Sequence, residues 1–145
     1  MVARLPVAGS AGAGRQARSG DGAGGDGPPL LLLRGDAVEV LPGAFARVPE
    51  DALPVVTTTW ALSHFPLESR LRFLHRLDEA AAGRAVAWVS VEGVGVAPAI
   101  PTLGDRRASG HSIIGLAVFR QSALRAEAVG RCWSQGRFLA WLADS

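Results

Sequence analysis

The chain has 145 residues, a formal net charge of +2, and fifteen arginines with no lysine, asparagine or tyrosine. This is room for one domain with a modest core, and arginines scattered along the whole chain make no basic stripe for nucleic acid. Cys132 is the single cysteine, which excludes an intrachain disulfide and fits a reducing cytoplasm; no apolar run approaches the ~20 residues a membrane span needs, and the first residues lack the apolar core of a secretory signal.

Residues 1–29 are dominated by Gly, Ala, Ser and Arg without apolar periodicity. Such a composition buries too little surface to offset ordering entropy, so the segment is expected to be disordered. Within it Val7–Gly14 (VAGSAGAG) has the look of a glycine loop that brings backbone N–H groups to a phosphate or nucleotide. No strand precedes it and no helical stripe follows, so low-complexity sequence is the reading adopted. Leu30–Leu33 reads as a short strand. Asp36 follows it, where a carboxylate either caps the next helix or accepts a hydrogen bond from a ligand amine or hydroxyl; the two roles can coexist. Ala37–Arg47 carries a short helical stretch through Val38, Leu41 and Phe45, interrupted by Pro42-Gly43. Residues 30–145 are taken as the α/β domain.

The central unit is Pro54–Gly93. Val55–Trp60 is β-branched and aromatic, the composition of a buried strand. Leu67, Leu71, Leu74, Leu77 and Ala81 recur at helical spacing, predicting about four turns with those residues against the core. Pro66 suits the first helical turn and Gly83 the left-handed position past its end. Ala85–Val91 is a second buried strand. Two buried strands joined by an amphipathic helix predict a crossover in a parallel sheet, whose ligands sit beyond the carboxyl ends of the strands. Here those ends carry Trp60–His64 and Glu92-Gly93.

Gly93–Gly110 is a long Pro- and Gly-containing loop, expected to be functional or disordered. His111–Arg120 and Ala123–Trp133 form an antiparallel hairpin, and Arg137–Leu142 returns as a last short strand. Trp60 and Trp88 are assigned to the core; Trp133, Phe138 and Trp141 are expected to close its end.

Two residues are candidates for chemistry. His64 suits a general base as histidine generally does, its unperturbed imidazole exchanging protons near neutral pH; the alternative is a loop histidine bonded to backbone. Glu92, ending a buried strand at the ligand edge, is either an acid/base or a loop cap. His64, His75 and His111 lack metal-ligand spacing and Cys132 has no companion, so no metal site is expected.

RGDAVEVLP, VVTTTWALSHFP, AVAWVSVEG and the closing hairpin with its Trp-Leu pair resemble, in order and spacing, the C-terminal part of the bacterial domain-of-unknown-function family 2332, from about Pro28 to Leu142. That family in turn resembles a class I S-adenosylmethionine-dependent methyltransferase. The resemblance implies a partial Rossmann-like sandwich, a mostly parallel sheet of order 3-2-1-4-5-7-6 with a C-terminal antiparallel hairpin. It also implies that Asp36 faces the adenosine end of S-adenosylmethionine and that Ala61–Phe65 lines a substrate pocket. The front strands and glycine loop of such a fold have no counterpart in residues 1–29. The expectation is therefore a truncated or split half without catalysis of its own, which does not hold S-adenosylmethionine by itself. The alternatives are an active methyltransferase lacking its N-terminal half, and a small binding module that self-associates through an exposed sheet edge. Its partner would be that N-terminal half or a second copy.

Overall fold

A computed structural model describes residues 31–121, 123–133 and 137–142. The segment 1–29, with Val7–Gly14, lies outside the described residues. The elements in chain order are α1 (Leu41–Phe45), β1 (Val55–Thr59), a 3₁₀ turn (Leu62–His64), α2 (Leu67–Ala80), β2 (Val86–Gly93), a second 3₁₀ turn (Arg107–Ser109), β3 (His111–Arg120), β4 (Ala123–Trp133) and β5 (Leu139–Trp141).

The five strands make one mixed sheet in the order β1-β2-β3-β4-β5. β1 and β2 are parallel neighbours, in register from Val55 opposite Ala87 to Thr59 opposite Val91. The crossover read from the sequence is present, with α2 between its strands. The rest of the sheet corrects the expectation. β2–β3, β3–β4 and β4–β5 all pair antiparallel, so the sheet is mostly antiparallel rather than mostly parallel. The order 3-2-1-4-5-7-6 requires Ala123–Trp133 beside Ala85–Val91; β3 occupies that place instead. The connection after β2 explains why. A parallel return needs a crossover element, and residues 94–110 supply only a 3₁₀ turn, so the chain comes back antiparallel as a meander.

Leu31–Leu33, expected in a strand with Leu30, belong to no strand. β1 is therefore an edge strand among the described residues. It alternates exposed and buried: Val56 and Thr58 face α2, while Val55, Thr57 and Thr59 look out from the uncovered side. It is half-buried where full burial was expected, because no helix of the described chain covers its second face.

α2 spans 14 residues, the predicted four turns. Leu77 and Ala81 of the predicted stripe are buried and Leu74 packs against the core, but the N-terminal half of the helix turns a different arc to the sheet. Phe73, Leu77 and Ala81 are buried, whereas Leu67 is 62% and Leu71 is 51% exposed. The four-residue spacing from Phe73 through Leu77 to Ala81 is as regular as the leucine series, and the larger side chain wins the sheet. Phe73 meets Trp88 edge-to-face at 5.3 Å, a favourable aromatic geometry, and Trp88 Nε1 donates to Thr58 Oγ1 at 3.1 Å. Pro66 is the residue before the helix, and Ala81 caps its C-terminus. Gly83 does not take the left-handed conformation expected of it.

Val38 and Leu41 join this core from the N-terminal side, and Val94, Ala97 and Ile100 from the long loop. Ile100 lies directly on Gly115: a Cβ there would come within 2.6 Å of its side chain. The loop expected to be functional or disordered is thus partly a core element. Trp60, assigned to the core, is 40% exposed. Trp133, Phe138 and Trp141 are also exposed, so they do not close the core; Trp133 packs edge-to-face on His111 at 5.1 Å.

Candidate functional site

The carboxyl end of β1 runs straight into the 3₁₀ turn, and the backbone must reverse within a few residues to start α2. Trp60 makes the reversal at φ 48°, a left-handed conformation that costs a bulky residue about 1 kcal/mol or more. Its indole Nε1 donates to the buried Ser112 Oγ at 2.8 Å, which holds the ring across the end of β2. Ser63 Oγ donates to the Trp60 carbonyl. Arg70 reaches back from α2 and donates to the carbonyls of Phe65 at 2.9 Å, Ser63 at 3.4 Å and Val96 at 3.5 Å, so one guanidinium ties this turn to the long loop.

Glu92 completes the arrangement from β2. Its Oε1 accepts the backbone N–H of Ala61 at 3.1 Å and of Leu62 at 3.2 Å. These are N–H groups at the open start of a 3₁₀ turn, which a carboxylate satisfies well. Glu92 is 1% exposed, and its Oε2, like the buried Ser90 Oγ two residues earlier, has no hydrogen-bond partner among the described residues. Through Oε1 Glu92 caps the β1–α2 turn rather than the loop that follows it.

Beside this turn, a cleft of about 390 Å³ opens along the carboxyl end of β1, a volume within the range of small-molecule sites. Its lining is Ala37, Thr57, Thr58, Thr59, Ala61, Leu62, Phe65 and Phe73. Three threonines face a set of alanine, leucine and phenylalanine, and none of these side chains titrates near neutrality. Asp36 adjoins Ala37 at the border of the cleft. Its Oδ1 accepts the N–H of Val38 at 2.9 Å and of Glu39 at 3.3 Å, capping the turn that leads into α1. His64 closes the 3₁₀ turn and is exposed; its imidazole makes no hydrogen bond or ion pair among the described residues. The three candidates thus surround one end of β1 without forming a common hydrogen-bonded group.

Sequence reasoning missed Arg70, Arg84 and Phe73. Arg84 donates to the carbonyls of Phe45, Val48 and Pro49 and so fixes the entry into β1. The signal for Arg70 was its place three residues before Phe73 and seven before Leu77, on the core-facing arc, where an arginine must have a partner. Among the described residues no three His, Cys, Asp or Glu come together in a metal-holding group, and no helix is long and apolar enough to cross a membrane.

A family model described as an uncharacterized protein conserved in bacteria, DUF2332, matches residues 25–141. The chain belongs to the DUF2332 family. This match includes every described element, the cleft and its surroundings. Neither a curated protein nor a solved structure matches the chain.

Proposed function

We propose that this DUF2332 chain is one portion of a methyltransferase-like domain and that it carries no catalysis of its own. The observation that supports this reading most is the commitment of Glu92. The one buried carboxylate among the described residues, Glu92, is bound through Oε1 to two backbone amides, and the cleft lining offers no general base. His64 stands outside with no acid among the described residues to orient it, which a catalytic imidazole needs.

The residues present do not fit S-adenosylmethionine. Such a molecule needs donors for its carboxylate and acceptors for its amine and ribose. The loop amides at Ala61 and Leu62 are already taken by Glu92, and one oxygen of the Asp36 carboxylate is engaged by Val38 and Glu39; the cleft lining itself offers only threonine hydroxyls as polar side chains. Each unmade buried hydrogen bond costs ~1–3 kcal/mol, so two or three of them reduce a micromolar affinity to millimolar or weaker. No methyl-transfer step is derived for the chain. A cytoplasmic setting belongs to the same reading, since the lone Cys132 suits a reducing compartment.

Calorimetry with S-adenosylmethionine tests the proposal. No saturable heat at millimolar ligand is expected; a one-to-one isotherm with micromolar affinity would overturn it. One observation favours the second reading, an active methyltransferase completed by a further polypeptide portion: the cleft lies at the carboxyl end of a parallel strand, where ligands of open α/β sheets bind, with Asp36 at its border.

A further inference from the structure

From the geometry of β1 we infer that two copies of this chain pair edge to edge through Val55–Thr59, antiparallel about a two-fold axis at Thr57. The inference needs no cofactor, but it draws on the same strand as the cleft, whose lining includes Thr57, Thr58 and Thr59. The ladder between β1 and β2 fixes which backbone groups are free. At its ends Ala87 N–H donates to the Pro54 carbonyl and Trp60 N–H to the Val91 carbonyl, both at 2.9 Å. In a parallel ladder bonding residues alternate, so the even-numbered residues of β1 face β2. The N–H and C=O groups of Val55, Thr57 and Thr59 then point away from β2, and among the described residues β1 is the edge of the sheet.

This edge lacks the usual safeguards against strand addition. It contains no proline, bulge or charge. From Ala52 to Leu67 the chain has no Asp, Glu, Arg or Lys, an unusual gap in an arginine-rich sequence, so the strand itself brings no like charge to the seam. The opposite edge is managed differently, by a β5 of only three residues.

The edge is also complementary to itself. A two-fold axis at Thr57 sets Thr57 against its own copy and Val55 against Thr59, which is the register that uses all three outward-facing residues and makes about six backbone hydrogen bonds. The facing side chains are β-branched, the pairs that cross-strand contacts favour. In the same register Leu53, 56% exposed, and Val55, 54% exposed, lie along the seam and gain cover from the second copy.

Sedimentation or light scattering of the full chain at high micromolar concentration tests this. A dimer is expected. Thr57→Pro removes an outward N–H without touching the β1–β2 ladder and is expected to give a monomer with unchanged circular dichroism. Thr57→Lys and Thr57→Glu are each expected to be monomeric, because residue 57 faces itself, and to recover the dimer when mixed one to one. A wild-type monomer, variants as dimeric as the wild type, or failure of the mixed pair to associate would each overturn the inference. So would a dimer abolished by Leu116→Glu on the uncovered sheet face but kept by the residue 57 variants, since the copies would then stack face to face.

Discussion

Glu92 on β2 accepts the backbone N–H of Leu62 at 3.2 Å across thirty residues of chain, and this bond, with its twin to Ala61, holds the turn at the end of β1 against the sheet. Replacing Glu92 by Ala leaves two amides without an acceptor in a buried place. Each costs about 1–3 kcal/mol, so Glu92→Ala is expected to lower unfolding free energy by about 3 kcal/mol in urea titrations. Glu92→Gln keeps the accepting oxygen and is expected to cost about 1 kcal/mol or less. Equal losses for the two variants would show that the carboxylate acts through its charge rather than as a cap.

The arc of α2 that faces the sheet can be tested by truncation. Phe73→Ala removes a fully buried ring from its contact with Trp88 and is expected to cost about 3–5 kcal/mol. Leu67→Ala and Leu71→Ala, exposed by more than half, are expected to stay within about 0.5 kcal/mol of the parent. Chemical denaturation of the three variants separates the two arcs; a large loss at Leu71 would restore the leucine series as the buried stripe.

This contrast shows where the sequence was legible. The period of α2, the parallel β1–β2 pair and the β3–β4 hairpin follow from spacing and turn length, which are local. The rotation of α2 about its axis is not local: it depends on which side chain fits against Trp88, and Phe73 was hidden by a better-known leucine pattern. The sheet order failed for a related reason, because a family order was carried past a connection that holds no helix. Around the cleft, Asp36 and Glu92 were visible as acids near strand ends. That Glu92 would point back across to the Ala61 and Leu62 amides depended on the depth of the β1–α2 turn, which no spacing in residues 55–67 encodes.

The long loop is anchored by a partly buried pair: Arg131 Nε donates to Asp105 Oδ2 at 2.7 Å and Nη2 to Oδ1 at 3.3 Å. The two-point geometry makes it stronger than a single exposed contact, and its partial exposure keeps it near 1 kcal/mol. Asp105→Asn is expected to lower stability by about that amount. It should also speed tryptic cleavage at Arg106 and Arg107 several-fold, read by timed proteolysis. An unchanged cleavage rate would assign the order of the loop to Val94, Ala97 and Ile100 alone.

Burial pushes the Cys132 thiol above its ordinary range. A raised pKa leaves less thiolate at neutral pH, and the thiolate is the reactive form. Alkylation of Cys132 in the folded chain is therefore expected to be slower than that of free cysteine at pH 7–8. Its rate should keep rising with pH beyond the point where free cysteine levels off. A rate equal to free cysteine at neutral pH would contradict this.

The central claim is that the cleft beside β1 does not hold S-adenosylmethionine unaided, because the backbone amides of Ala61 and Leu62 at its rim are already bound to Glu92 Oε1. Titrating the nitrogen-15-labelled chain with S-adenosylmethionine to millimolar concentration, and following the amide signals of Ala37, Thr57–Thr59, Ala61 and Leu62, tests it residue by residue. The account predicts no saturable shift at these positions. Saturable shifts there, with Ala61 and Leu62 leaving their Glu92-bound values, would contradict it.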